Sequence, residues 1–258
     1  MDILDFFLGE FSYIFLAILL ILILILLAKF IGTYPTPFPH SENPATEKKE
    51  VIILCFLMLI YLSFFIYLLS PYFISMFGDS YIIGVIFGTF INFLIPFIYV
   101  VYKNKWTSRD LGLNSKVRSW SVGIISISSY LLLGFYSFFR SEPIELYWYS
   151  LLLLLYSNAF LEEFLFRGIV QSKLERSVGQ KRAIIYQGVL FMLIHIPANL
   201  IRFTIDGNLV RFFWSFGFQL LHGVIYGLVF LKTRSLWPAV ICHYLTNWAG
   251  ATILLFLS

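Results

Sequence analysis

Long apolar runs and short polar connections alternate along the chain. Eight apolar runs can be marked, at residues 11–28, 51–69, 81–102, 119–139, 146–170, 183–201, 212–231 and 236–256. A helix needs about 20 apolar residues to cross the hydrocarbon core of a bilayer, and each run is long enough to do so with some tilt. The pattern therefore predicts an all-α fold, a polytopic membrane helical bundle of about eight transmembrane helices. We expect it to form a single integral membrane domain over residues 1–258.

The composition agrees with the membrane class and excludes an ordinary soluble domain. Hydrophobic residues make up 60% of the chain and charged residues only 12%, whereas soluble domains carry about 25% charged residues. The net charge of +4 would allow a nucleic-acid partner. The placement of the basic residues indicates membrane topology instead, so the predicted partner is the lipid bilayer. Cys55 and Cys242 both lie in apolar runs, which argues against a disulfide framework and a cysteine metal site.

The basic residues are distributed unevenly between the connections. Fourteen of the 18 Lys and Arg residues lie in the first, third, fifth and seventh connections, while Arg140, Arg202 and Arg211 fall in even ones. By the positive-inside rule the odd connections are cytoplasmic, so both termini are predicted to be extracytoplasmic. The acidic stretch before the first run favours a retained helix over a signal peptide.

Two of the connections have a distinctive composition. Residues 29–50 contain four prolines among polar side chains, which predicts an irregular loop. Residues 103–118 mix basic residues with Trp106. That mixture is typical either of a segment on the inner membrane surface or of an ordinary basic loop with a snorkelling tryptophan. Neither connection indicates a second domain.

The fifth apolar run contains three charged residues, Glu162, Glu163 and Arg167. Each charge at the centre of a membrane helix costs about 2.5–3.5 kcal/mol, so a purely structural helix would not be expected to carry three. Arg167 follows Glu163 by four residues, which places both on one helix face where they can pair. Glu162 points about 100° away from that face. One glutamate therefore remains for another role, while Arg167 is expected either to pair with Glu163 or to snorkel to the membrane surface.

Two later runs carry polar pairs at helical spacing. Phe191 and His195 lie four residues apart in the sixth run, and His243 and Asn247 lie four apart in the eighth. The helical rise places these groups, with Glu162, in or near the inner half of the bilayer. Polar groups at matching depth are stabilised by clustering around a water-filled cavity. We therefore expect one site toward the cytoplasmic leaflet.

The three motifs, Glu-Glu-x-x-x-Arg, Phe-x-x-x-His and His-x-x-x-Asn in this order, resemble those of the CPBP (Abi) family of intramembrane proteases. This family includes the Ras-converting CAAX prenyl endopeptidase. The resemblance covers residues 149–250, the predicted catalytic motif core, and the stretch 233–238 is similar to the family's turn before the last motif. It implies a membrane endopeptidase that acts on prenylated CAAX-type or other hydrophobic peptides. Microbial relatives linked to bacteriocin processing or self-immunity leave the substrate open.

The resemblance also implies a role for each motif residue. Glu162 and His195 would hold and activate a water molecule, with Glu162 as the general base, and His243 and Asn247 would donate hydrogen bonds to the oxyanion. Glu163 would pair with Arg167 and fix the geometry around Glu162. The aromatic residue of the second motif, Phe191, is expected to shape the cavity.

Two alternatives to this reading remain open. A zinc ion held by Glu162, His195 and His243 would match a common catalytic ligand set, although a metal-free mechanism without a cofactor is favoured. A non-enzymatic transporter could use the same three residues as a proton relay. Such a relay would not require Asn247.

A pair of glycines in the seventh run indicates close helix packing. Gly223 and Gly227 form a small-xxx-small pattern, which lets two helix backbones approach each other. Isolated polar residues in the apolar runs are expected to form hydrogen bonds within the bundle; they are Asn158, Gln187, Asn199, Gln219 and His222.

Overall fold

A computed structural model describes residues 37–68, 81–113, 120–138 and 154–248, together with the single residues 19, 22, 23, 26 and 152. Apart from those first four single residues, the predicted run at residues 11–28 and its retained helix lie outside the described residues. The end of the last predicted run, from residue 249, also lies outside them. All regular secondary structure in the described residues is helical, so the all-α expectation is confirmed.

Eight helical elements follow one another in the described residues. Two of them, α2 and α4, are continuous helices in which α-helical and π-helical segments alternate. The bounds are α1 Pro44–Leu68; α2 Tyr81–Thr89, π-helical Phe90–Leu94 and Ile95–Tyr102; α3 Trp120–Phe138; α4 π-helical Leu154–Phe160, Leu161–Glu163, π-helical Phe164–Gln171 and Ser172–Val178; α5 Gln180–Ile194; α6 Ile196–Asp206; α7 Leu209–Thr233; and α8 Leu236–Trp248.

The helices that could cross a membrane are fewer than the sequence pattern predicted. By length and apolar composition, Ile83–Tyr102 within α2 and Leu209–Thr233 qualify. The pair formed by α5 and α6, bent by 40°, is a third candidate if it makes one broken span. The apolar helices agree with an integral membrane protein, but eight transmembrane helices are not confirmed in the described part of the chain.

The first connection is less irregular than its prolines predicted. Residues from Pro44 onward form the first turns of α1, so the loop ends earlier than residue 50. The side chain of Asn43 explains this helix start, because its Oδ1 accepts a hydrogen bond from the backbone N–H of Thr46 at 3.2 Å. An Asn at this position satisfies one of the unpaired N–H groups of the first turn.

A buried ion-pair network joins α1 to the end of α4. The ammonium of Lys173 has no solvent exposure and lies 2.7 Å from a carboxylate oxygen of both Glu47 and Glu50. Trp106 packs on the same network, 5.0 Å from Lys173 and 4.6 Å from the guanidinium of Arg176. Because Trp106 is only 5% exposed, it is a packing residue, and the snorkelling expectation for it is wrong.

Close packing between α5 and α7 confirms the expectation from the glycine pattern. A Cβ atom added to Gly223 would lie 2.9 Å from the Cα of Gly188 on the facing helix. The amide of Gln187 donates a hydrogen bond to the Gly223 carbonyl at 2.6 Å, which holds the two backbones in register. At this interface the Gly223 carbonyl of α7 also accepts a hydrogen bond from Arg167, a motif residue on α4, at 3.1 Å.

Substitution of Gly223 by Ala is expected to destabilise the protein by about 1–3 kcal/mol, because the new methyl group meets backbone atoms that cannot rotate away. The matched control is Gly217→Ala on the same helix, where an added Cβ meets no atom within 4 Å. That control should be neutral or slightly stabilising, since Ala favours a helix interior over Gly. Thermal unfolding of the purified variants in detergent measures the difference, and equal melting temperatures would contradict the packing.

Candidate active site

The segment of α4 that carries the two glutamates is an unusual piece of helix. Glu162 and Glu163 lie in a short α-helical stretch, Leu161–Glu163, with π-helical turns before and after it. Short π-helical turns inside α-helices occur frequently at functional sites. The sequence motif gave the positions of the glutamates but no sign of the π-helical turns, which change the faces presented by the residues around them.

Glu163 is the centre of a buried hydrogen-bonded cluster with Arg167 and His243. Its Oε1 accepts a hydrogen bond from Arg167 Nη1 at 2.8 Å and lies 2.7 Å from His243 Nδ1. The side chains of Glu163 and Arg167 have no solvent exposure. The expected pair between these two residues is therefore present, and the expectation that Arg167 snorkels to the membrane surface is wrong.

The guanidinium of Arg167 is also held by a backbone carbonyl and by aromatic rings. Its Nη2 donates to the backbone carbonyl of Gly223 at 3.1 Å. Its carbon Cζ lies 4.6 Å from the ring centroid of Phe191 and 5.2 Å from that of Tyr226. A desolvated cation over aromatic rings gains electrostatic attraction from them. Arg167 thus holds the carboxylate of Glu163 in place, and this carboxylate holds the ring of His243.

Glu162 faces both motif histidines. Its Oε2 lies 3.8 Å from His195 Nε2 and 4.0 Å from His243 Nε2. The Glu162 side chain is 13% exposed, in contrast to the fully buried Glu163. The two carboxylates therefore have different surroundings. That of Glu163 is enclosed by the protein, whereas that of Glu162 faces the two histidines. The distances are too long for direct hydrogen bonds but suit one bridging water molecule.

His195 lies at the break between α5 and α6. Its backbone φ of −85° and ψ of 0° end one helix, and Pro197 in the first turn of α6 supplies no backbone N–H. Its Nδ1 lies 2.7 Å from the Phe191 carbonyl oxygen. A carbonyl oxygen only accepts, so Nδ1 carries the proton and a neutral His195 directs an unprotonated Nε2 toward Glu162. The sequence pattern had placed His195 inside one continuous run, and Pro197 is the reason for the break.

Aromatic rings surround the histidines of the site. The Phe191 ring packs against His195 at 4.8 Å and His243 at 5.9 Å between centroids. The ring of Tyr226 stacks on His243 at 5.1 Å, and its hydroxyl donates to Thr246 Oγ1 at 2.6 Å. The placement of Phe191 agrees with the expected shaping role. The sequence did not predict Tyr226 as a site residue, because no motif contains it. Its only indication there was a position three residues after Gly223, in an apolar run that also contains polar residues.

A cavity of about 510 Å³ adjoins these groups and is lined by residues from four of the helices, α5, α6, α7 and α8. Along α7 a single face lines it, since the contributing positions recur every three or four residues. The other end of the cavity is lined by Arg202 and Arg211, which in the sequence had indicated only the membrane topology. The lining residues are Phe191, His195, Arg202, Asn208, Arg211, Trp214, Ser215, Phe218, Gln219, His222, Tyr226, His243, Thr246 and Asn247.

A metal site was tested against the same geometry. Among the described residues, no group of three or more His, Cys, Asp or Glu side chains is arranged to hold a metal ion. The donor oxygen of Glu162 lies 3.8 Å from Nε2 of His195 and 4.0 Å from Nε2 of His243. Two ligands of a tetrahedral zinc ion, each bound at about 2.0–2.2 Å, are separated by roughly 3.4 Å, so these three residues would hold a zinc ion after a small inward movement. Such an ion would supply a polarised water molecule. Activity after exhaustive chelation tests this alternative.

The comparison with known proteins agrees with this site. Residues 144–249 match the family model described as "Rce1-like: Type II CAAX prenyl endopeptidase Rce1-like". No curated protein and no solved structure matches the chain. The matched segment contains all three motifs, from Glu162 to Asn247, and so confirms the relationship to CAAX proteases inferred from them. Over residues 144–249 the chain is therefore similar to the Rce1-like type II CAAX prenyl endopeptidase family.

Proposed function

We propose that this protein is an intramembrane endopeptidase that removes the C-terminal residues of prenylated CAAX-type proteins or peptides. The family match supports CAAX prenyl endopeptidase activity in general and does not support bacteriocin processing or self-immunity. The observation that carries the proposal is the position of the Glu162 carboxylate, 3.8 and 4.0 Å from the Nε2 atoms of His195 and His243 beside the cavity.

Glu162 and His195 together activate the attacking water. A water molecule between them donates one hydrogen bond to the Glu162 carboxylate and the other to the unprotonated Nε2 of His195. Glu162 takes the proton as the water attacks the scissile carbonyl, a role worth about 10²–10⁴ in rate. The protonated Glu162 then gives this proton to the leaving amine, so the carboxylate is restored at the end of the reaction.

His243 and Asn247 stabilise the oxyanion. The contact between His243 Nδ1 and Glu163 at 2.7 Å means that Nδ1 carries a proton, because a carboxylate paired with Arg167 accepts only. His243 can then donate from Nε2 only when both ring nitrogens are protonated. The nearby Glu163 carboxylate stabilises that positive charge. The Asn247 amide supplies the second donor from the next turn of α8.

Substitution of Asn247 by Ala is expected to lower kcat by about 10²–10³-fold, because one oxyanion donor is lost. A proton relay through Glu162, His195 and His243 would not need this amide. Hydrolysis of a fluorogenic farnesylated CAAX peptide by the purified protein measures the effect. Thr204→Ala, which alters an exposed hydroxyl on α6, is the control and should keep wild-type activity.

One result would contradict the protease itself, and another would contradict only the role of Asn247. A wild-type protein that hydrolyses no prenylated peptide, but moves protons when reconstituted in liposomes, would favour the transporter alternative. Full peptidase activity in Asn247→Ala would remove this residue from the mechanism while leaving the protease in place.

The orientation in the membrane stays a prediction. The charge rule places the connection between the sixth and seventh apolar runs outside, and this connection holds Arg202 and Arg211. The cavity beside the motif residues reaches both arginines, whereas depth along the helices predicted a site toward the cytoplasmic leaflet. Ile205, which is 80% exposed on α6, is a suitable position for a cysteine that is labelled from one side of sealed vesicles.

A further inference from the structure

We propose that Arg202 and Arg211 bind the C-terminal carboxylate of the substrate and thereby set which peptide bond reaches Glu162. This inference rests on the proposed endopeptidase function, because it needs a substrate that ends in a free carboxylate inside the cavity. Both arginines line the same cavity as His195, His243 and Asn247, although they belong to no family motif in the sequence.

The spacing along α6 matches the length of the peptide to be removed. His195 lies at the start of this helix, and Arg202 follows seven residues later, two helical turns away on nearly the same face. Seven residues of α-helix span about 10 Å. A fully extended tripeptide also spans about 10 Å. A carboxylate at Arg202 therefore places the bond before the last three residues beside His195.

Contacts between α6 and α7 bring the second arginine to the same end of the cavity. Phe203 and Phe212, the neighbours of Arg202 and Arg211 in sequence, pack with ring centroids 5.4 Å apart. A tight turn makes this approach possible: Gly207 has a φ of 62°, and the next residue caps α7. The end of α6, which carries Arg202, and the start of α7, which carries Arg211, are thus held together as one unit.

A second contact fixes the distance between this end and the motif residues. The amides of Asn199 on α6 and Gln219 on α7 exchange two hydrogen bonds, at 2.9 and 3.1 Å. These amides lie between His195 and Arg202 along α6, and between Arg211 and Tyr226 along α7. The hairpin is therefore a rigid wall of the cavity, with the histidines at one end and the arginines at the other.

The charge of the cavity fits an anionic ligand. None of the described residues that line it is acidic, and two of them are arginines. A guanidinium presents parallel N–H donors that match the two oxygens of a carboxylate, and such charge-assisted bonds are stronger than neutral ones. The phosphate of a lipid headgroup offers the same oxygens, so the experiment must separate the two sources.

The test compares two farnesylated CAAX peptides that differ only at the C-terminus, one a free acid and the other a carboxamide. For the purified full-length wild type, we expect the amide to raise KM by roughly tenfold to a hundredfold, the value of one or two hydrogen bonds to a charged group. Arg202→Ala and Arg211→Ala should raise KM for the acid in the same way while kcat changes little. Each variant should have a similar KM for the acid and for the amide.

The control is Arg182→Ala, which removes an exposed arginine at the start of α5 and should leave both peptides unaffected. Melting temperatures of all variants show whether folding is preserved, and Arg202→Lys should recover part of the discrimination. If the wild type cleaves acid and amide equally, or if the arginine variants weaken both equally, the carboxylate site is overturned and the endopeptidase stands. If the wild type cleaves neither peptide, the proposed function fails and this inference fails with it.

Discussion

Substitution of Glu162 by Gln is expected to lower kcat for a prenylated CAAX peptide by about 10²–10⁴-fold, with little change in KM or in melting temperature. The side chain keeps its size, but an amide cannot take a proton from water, so general-base catalysis is lost. The Glu162 side chain is 13% exposed and takes no part in the buried cluster of Glu163, Arg167 and His243, so the loss of its charge should not disturb the fold. Steady-state hydrolysis of a fluorogenic farnesylated peptide, with thermal unfolding in the same detergent, measures both quantities.

The matched control for this substitution is Glu42→Gln. Glu42 is exposed and lies just before α1, away from the motif residues, so the same chemical change should leave kcat at its wild-type value. Wild-type activity in Glu162→Gln would overturn the assignment of Glu162 as the base.

Substitution of Arg167 by Met is expected to destabilise the protein by about 3–5 kcal/mol. The reason is that the Glu163 carboxylate, which has no solvent exposure, would lose the guanidinium that pairs with it at 2.8 Å. The aromatic contacts to Phe191 and Tyr226 are replaced in part by the methionine side chain, so the charge imbalance dominates the cost. Thermal and denaturant unfolding of purified protein in detergent should show the loss.

A double variant separates the charge from the packing. In Arg167→Met with Glu163→Gln, no buried charge remains, and the amide oxygen of Gln can still accept the hydrogen bond from His243 Nδ1. We expect this variant to recover a large part of the stability while its peptidase activity stays low, because the charge that stabilises a doubly protonated His243 is absent. Additive losses in the double variant would contradict the buried ion pair.

Local spacing in the sequence was sufficient for the parts of the site that depend on one helix. Glu163 and Arg167 pair because residues four apart meet on one helix face. This contact is kept although Arg167 lies in a π-helical segment. The same spacing placed His243 and Asn247 on successive turns of α8. The charges of the fifth run had to be satisfied within the protein because exposure to lipid is costly, and Glu163 and Arg167 do form a buried pair.

Contacts between distant segments explain what the sequence left out. Trp106 appeared as a surface residue because its burial depends on Lys173 and Arg176, which lie far along the chain. The break at His195 was hidden within an apolar run, although Pro197 was visible there. Tyr226 is part of the site only because α7 packs closely on α5 through its glycines.

By itself, the sequence determined the helical class, the membrane character and the residues capable of the chemistry, because apolar run length, charge cost and i to i+4 spacing are local properties of a chain. The tertiary structure alone decided how those residues are placed relative to one another. It buried Glu163 between Arg167 and His243 and left Glu162 facing the two histidines. It also joined the site to Arg202 and Arg211 through the α6–α7 hairpin, since the approach of two helix ends depends on packing that no local pattern encodes.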